Sequence, residues 1–245
     1  MKRSMIAVLS LVATVLIAAG TSPALAGWSD NFNSVPPQQT WTVYNGGTSS
    51  TYQFVNNRYE LHTGGTSTPG VVVSWVSESF TDCIVQARIQ RIQTDDNFLS
   101  YLLARADTTT MSAYVMGVSS PGGGDVAHMW LGKLTNGVYS SLAEFGTQPS
   151  FVYTDCQAKF SIIGDTLQAK VWTTGTAEPD WQILKNDSSY TSGSAGVMLA
   201  TYPTLNWDTV QVAFDNVTAV PEPATMSLLA LGGVGMLLRR RRTAR

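Results

Sequence analysis

From residue 28 to residue 217 apolar and polar side chains alternate with a period of two, and no 3.6-residue period persists long enough for a helix. That pattern confines the stretch to sheets. Strands are expected at Trp28–Phe32, Thr40–Tyr44, Thr51–Val55, Arg58–His62, Val71–Val76, Phe80–Arg91, Phe98–Arg105 and Ser112–Val118. They continue at Val126–Lys133, Val138–Phe145, Asp155–Ile163, Thr166–Thr173, Trp181–Leu184, Ala195–Ala200 and Trp207–Val217. Turn chemistry separates them. Asn56-Asn57 tolerates positive φ, Asn136-Gly137 suits a two-residue hairpin turn, and Gly164-Asp165 another. About fourteen short strands without a long internal repeat point to an all-β sandwich or barrel.

The two ends of the chain read as addresses. Lys2 and Arg3 precede an apolar run, Met5 to Ala19, and Ala24-Leu25-Ala26 supplies small residues at the spacing signal peptidase reads. Residues 1–26 are therefore expected to be a signal peptide, with Gly27 the first mature residue; an uncleaved anchor is the alternative. At the other end Pro221, Glu222 and Pro223 stop regular structure, Ala224 to Leu238 is apolar, and Arg239, Arg240, Arg241 and Arg242 close the run. As a helix the 15 apolar residues reach roughly 22 Å, short of a hydrocarbon core of about 30 Å unless arginine stems snorkel. The arginines hold their end in the cytoplasm and leave everything before Pro221 outside. Residues 220–245 thus comprise the Pro-Glu-Pro motif, a short transmembrane helix and an Arg-rich cytoplasmic tail. This order resembles the PEP-CTERM sorting signal of Gram-negative bacteria. The resemblance implies cleavage near the Pro-Glu-Pro by an exosortase, after an intermediate held in the inner membrane.

Residues 27–219 remain, enough for one domain with a full core. Between residues 27 and 220 stand 8 Lys and Arg against 16 Asp and Glu, so no basic stripe exists to displace counterions from nucleic acid. The only cysteines, Cys83 and Cys156, each open a strand with the thiol on the apolar face. In an exported body they either form a disulfide, the reading preferred here, or stay two buried thiols.

Leu131 to Gly137, Gly164 to Trp172, Glu178-Pro179-Asp180-Trp181 and Val212 to Val217, in this order, resemble bacterial members of the concanavalin A-like lectin/glucanase fold, or laminin-G-like jelly rolls. The resemblance implies a two-sheet antiparallel jelly-roll sandwich whose concave sheet holds glycans. It also implies a structural Ca2+ tying the first strand to the last, with Asp30 and Asp215 as ligands. A retaining glucanase would place two glutamates on one concave strand about four residues apart. No such pair occurs among the five glutamates, so no catalytic residue is assigned. His62 and His128 lie far apart, and Gly122-Gly123-Gly124 lacks the spacing and helix of a phosphate cradle.

Sugar binding needs aromatic faces and a few polar groups. Tyr101, Arg105, Tyr114, Trp130 and Trp172 would supply them if their strands form the concave sheet; ordinary packing is the competing role. The sequence thus suggests an exported surface or matrix protein, such as a biofilm matrix component, that contacts polysaccharide without catalysis. A glycoside hydrolase whose carboxylates meet only in the fold, and a structural envelope protein without ligand, are the alternatives. The partners implied are signal peptidase, exosortase, the inner membrane and an extracellular polysaccharide, and not nucleic acid.

Overall fold

A computed structural model describes residues 27–46, 50–63, 70–93, 98–119, 126–152, 154–201 and 210–221. The expectations for residues 1–26, including Ala24 and Ala26, and for Glu222, Pro223 and Arg239 to Arg242 lie outside the described residues. Among those described there is no helix, and so none long and apolar enough to cross a membrane.

The strands are β1 (Trp28–Asp30), β2 (Trp41–Gly46), β3 (Ser50–Val55), β4 (Arg58–Thr63), β5 (Val71–Phe80), β6 (Cys83–Gln93), β7 (Phe98–Asp107) and β8 (Ser112–Ser119). Then come β9 (Val126–Thr135), β10 (Val138–Val152), β11 (Asp155–Ile163), β12 (Thr166–Thr173), β13 (Ile183–Asn186), β14 (Gly193–Thr201) and β15 (Val210–Pro221). Sheet A runs β13-β12-β11-β6-β15-β4-β3, with β1 also paired to β15; sheet B runs β10-β9-β8-β7-β14-β5-β2. The architecture is a jelly-roll sandwich of two antiparallel sheets.

Alternation builds the core. In β6 Cys83, Val85, Ala87 and Ile89 point inward, and in β11 Cys156, Ala158, Phe160 and Ile162 do the same, all fully buried. Leu102, Tyr114, Met116, Leu131, Val197 and Leu199 meet them from sheet B. Burial of this kind contributes about 25 cal/mol per Å² of apolar surface and is what holds one sheet on the other.

The disulfide expectation is corrected by the register. Cys83 lies opposite Ile162, and Cys156 opposite Ile89, so the thiols occupy opposite ends of one strand pair and are free. Neighbouring antiparallel strands begin at opposite ends, and six residues of strand separate these two by about 20 Å, beyond the reach of a disulfide. Burial pushes the Cys83 thiol up to about 12 and raises Cys156 as well, so both are poor nucleophiles.

The calcium expectation is corrected by the alternation. Asp30 is buried on the inner side of β1, where Oδ1 accepts from the Phe32 N–H and Oδ2 from the Gln39 N–H and the Trp41 indole. Phe214 points inward, so Asp215 lies on the outer side of β15, beside its bulge at Asn216. There it faces Arg88 at 3.7 Å and accepts from Asn216. The two carboxylates face opposite sides of sheet A. No group of three or more metal-ligating side chains occurs among the described residues.

One end of the sandwich is tied by Arg105, which is 3% exposed. Its guanidinium donates to the carbonyls of Thr81, Gly164 and Tyr190 at 2.6–2.7 Å and to Asp82 Oδ1 at 3.1 Å. Three connections, after β5, β11 and β13, thereby converge on one side chain. Arg105 reaches them because β7 bulges: its φ is +49°, and the pairing with β8 slips between Ala104 and Asp107. Gly193 makes room, with a φ of +153° and a position where a β-carbon would meet the Arg105 carbonyl carbon at 2.5 Å.

Two outcomes test this description. A thiol reagent should titrate neither cysteine in the native protein and both in denaturant, and a reducing agent should leave the Tm unchanged. Arg105→Ala should cost about 3 kcal/mol in urea unfolding, because the carbonyls of Thr81, Gly164 and Tyr190 lose the one buried side chain that ties their connections together.

Candidate functional site

The two outer faces of the sandwich differ in chemistry. On sheet A the outer residues form a polar lattice. Glu60 accepts from Gln53 and Arg58 and bonds His62, Arg88 pairs with Asp155, and Glu178 bridges Lys159 and Lys170. Lys170 also sits 4.4 Å above the Trp181 ring. Sheet B instead carries a second apolar cluster, separate from the core, built on Val73, Tyr101, Leu103, Val115, Leu134 and Met198. β5, β8 and β14 are therefore apolar on both faces, which their sequences show as near-continuous runs such as Val71-Val72-Val73 and Val115-Met116.

Register lines these outer residues into a row across the sheet. Tyr44 of β2 lies opposite Val73 of β5, Val73 opposite Met198 of β14, and Met198 opposite Tyr101 of β7. Tyr101 then faces Gly117 of β8, Gly117 faces Trp130 of β9, and Trp130 faces Glu144 of β10. The glycines shape the surface. A β-carbon at Gly117 would fall 2.6 Å from the Tyr101 ring, and one at Gly132 would fall 2.5 Å from the Tyr139 ring. Each tyrosine therefore lies down over a position without a side chain, with the two rings 6.3 Å apart between centroids.

Beside these rings is a groove of about 420 Å³, within the range of small-ligand sites. Tyr44, Tyr101 and Tyr139 line it together with Met111, Leu134 and Met198, and polar atoms come from Thr110 and Asn136. Among the described residues its lining contains no Asp, Glu, Lys, Arg or His. The end wall is braced by two turns. Asn136-Gly137 has φ of +52° and +77°, as its hairpin turn requires, and Gly137 donates to the Met111 carbonyl at 3.0 Å while Asn136 donates to Ser112 Oγ at 3.1 Å. Asp107 caps the other turn by accepting from the N–H and hydroxyl groups of Thr109 and Thr110.

Of the residues expected to line a sugar site, the fold brings Tyr101 and Trp130 onto this face. Trp130 stands beyond the groove, stacked on His128 at 5.4 Å, and His128 approaches Glu144 at 3.6 Å. The other three lie elsewhere, and their assignment is corrected. Arg105 is turned into the end of the sandwich by its bulge. Tyr114 is a core residue, since alternation places it with Leu102 and Met116. Trp172 lies on the polar outer face of sheet A, opposite Gln157.

Sequence reasoning missed Tyr44, Tyr139, Met111, Leu134 and Met198. The available signal was the pair of isolated strand glycines, Gly117 and Gly132, which mark close approach of a neighbouring group.

A half-buried polar network holds the strand that carries Leu134. Tyr114 donates to Asp187 Oδ1 at 2.7 Å, Lys133 Nζ donates to Asp187 Oδ2 at 2.8 Å and to Ser189 Oγ at 2.6 Å, and the Tyr190 hydroxyl donates to the Leu134 carbonyl at 2.6 Å. Burial alone would raise the Asp187 carboxyl, but donors from Lys133, Ser189 and Tyr114 outweigh it and hold it well below the usual carboxylate range. Burial, then the hydrogen bond to Asp187, raises the Tyr114 phenol.

Residues 219–242 match the profile of the PEP-CTERM protein-sorting motif. No curated protein sequence matches the chain. Among solved structures it is similar to the carbohydrate-binding module CBM66 from Bacillus subtilis, with a TM-score of 0.55 and 21% identity over 74% of this chain and 96% of that one. A prokaryotic β-1,3-1,4-glucanase (lichenase) from a mouse hindgut metagenome gives 0.58 at 12% identity, over 81% of this chain and 100% of that one. Bacillus licheniformis β-glucanase gives 0.54 at 12%, over 80% and 98%. At these identities the likeness is one of fold, the concanavalin A-like jelly roll.

The Asp187 network predicts an acid-sensitive stability. A depressed carboxyl stabilises the fold above its unfolded pKa of about 3.9, and that stability is lost as pH falls through the lower folded value. In urea titrations Asp187→Asn should therefore be less stable than wild type at pH 7, with the gap shrinking steadily below about pH 4.

Proposed function

We propose that this chain is an exported, non-catalytic sugar-binding protein that holds a neutral glycan in the groove on the outer face of sheet B. The observation that carries the reading is the groove itself, in which tyrosine rings lie beside methionine and leucine side chains with no Asp, Glu, Lys, Arg or His among the described lining residues. Pyranose rings present flat C–H faces that stack on aromatic rings, and the few polar atoms at one end suffice to orient hydroxyls. A charged polysaccharide would find no counter-charge among the described lining residues. Hydrolysis by the retaining or inverting route needs two carboxyl groups about 5–9 Å apart across the bond. The described lining residues offer none.

The address comes from the tail. The match at residues 219–242 supports export and sorting by an exosortase to the cell surface. In this reading the tail holds the protein in the inner membrane of a Gram-negative cell until it is cut, and the domain then works outside, in the surface layer or matrix. A carbohydrate-binding module of the same fold, CBM66, supports the general use of such a sandwich for sugars.

A panel of neutral and acidic polysaccharides tests the groove. Neutral glycans should bind, with an affinity unchanged between 50 and 500 mM salt, and Tyr44→Ala or Tyr139→Ala should each weaken binding about tenfold while leaving the Tm within a few degrees. Binding to no member of the panel would leave the domain a structural envelope component, and turnover of a β-glucan would make it a hydrolase.

A further inference from the structure

The last strand of the sandwich runs into the sorting motif without a spacer. β15 ends at Pro221, whereas the motif match begins at residue 219, so Ala219, Val220 and Pro221 belong to both. All three are ladder residues, lying opposite Val85, Ile84 and Cys83 of β6. On the other edge Ala219 lies opposite Trp28 of β1. Ala219 is fully buried and Trp28 nearly so. Gly27 continues this contact: a β-carbon there would lie 2.6 Å from the Ala219 carbonyl oxygen and 2.7 Å from the Val220 Cα. The residues just before Glu222 are thus flanked by β6 on one edge and by Gly27 and β1 on the other.

An enzyme that cuts a peptide bond binds the flanking residues as an extended strand, using their backbone N–H and C=O groups. Ala219–Pro221 already lie in the ladders of sheet A, where that edge pairing is taken, and Pro221 has no N–H to offer. We propose that Ala219–Pro221 is the substrate strand of the tail-processing enzyme, and that β1 and β6 withhold it, so that cutting requires the end of β15 to leave the sheet. This rests on the sorting reading of the tail. The cut consumes one water, or one amine acceptor, per peptide bond. The carbonyl carbon on the domain side gains the new oxygen or nitrogen, and the tail leaves as an amine that takes up the proton. Withholding makes the folded domain its own brake: fraying of this corner, rather than the chemistry, sets the processing rate.

Two variants of the full-length precursor, followed by pulse-chase in a host that carries the processing enzyme, test the brake in opposite directions. A six-residue Gly-Ser spacer inserted between Thr218 and Ala219 keeps Ala219–Pro221 joined to the rest of the motif, moves them clear of the sheet and should speed conversion at least threefold. The double substitution Ile84→Cys with Val220→Cys places thiols on a facing outer pair and should slow conversion at least threefold when oxidised, with recovery on reduction. Wild-type conversion rates in both variants would overturn the brake while leaving the sorting reading intact. Absence of conversion in wild type and spacer variant alike would overturn the sorting reading and the brake with it.

Discussion

Everything in this molecule depends on burying one apolar face of each sheet against the other. A strand has two faces, and the inter-sheet core claims one. Cys83, Val85, Ala87 and Ile89 on β6, facing Leu102, Met116 and Leu199 from sheet B, are that claim in residues. The core sets which side of each strand remains for other work, and the two sheets use the remainder differently. Sheet A covers its outer side with ion pairs and amides, a surface at ease in water. Sheet B spends its outer side on a second apolar cluster and a groove. An apolar outer face on an acidic domain is the costly choice, and the proposed ligand-binding role would account for it.

The departures from strict alternation do the positioning. The bulge at Arg105 takes a residue that period two assigns to the groove face and points it at three loop carbonyls instead. The bulge at Asn216 resets the alternation of β15, so that Val217 and Ala219 point inward while Asp215, outward next to Phe214, stays beside Arg88. Glycines act in the same way from the opposite direction. At Gly117 and Gly132 a missing side chain lets a tyrosine ring from the next strand lie flat, and that flatness is the surface a sugar ring would use. The groove therefore arises from two omitted β-carbons as much as from the rings themselves.

Much of the fold was legible in advance, for reasons visible strand by strand. Asn136-Gly137, with alternating residues on either side, forms the hairpin of β9 and β10. The Gly164-Asp165 turn joins β11 to β12 in register from Asp165's neighbours outward. Boundaries were less legible. β5 runs through Phe80 and breaks at Thr81-Asp82, because Arg105 and Gly164 both bond there, and no local pattern announces a bond to a residue twenty or eighty positions away. β10 and β15 extend beyond their expected ends because neighbouring strands continue to pair with them. The site was half legible: Tyr101 and Trp130 reach the groove face, while Arg105, Tyr114 and Trp172 do not.

Alternation, turn residues and the tail determined, without any coordinates, that the body is an all-β domain and that residues 219–242 carry a sorting motif. These are local properties, written in neighbouring residues, and the all-β reading survives translation into structure. Only the tertiary structure decided which strands are neighbours, and with that whether two buried thiols meet, whether two aspartates share a side, and which aromatic rings share a face. Each of those questions turns on register between segments far apart in the chain. Both cysteines begin a strand on the core face, yet antiparallel pairing sends one to each end. The same pairing brings Gly27, at the start of the described chain, against Val220 at the start of the motif.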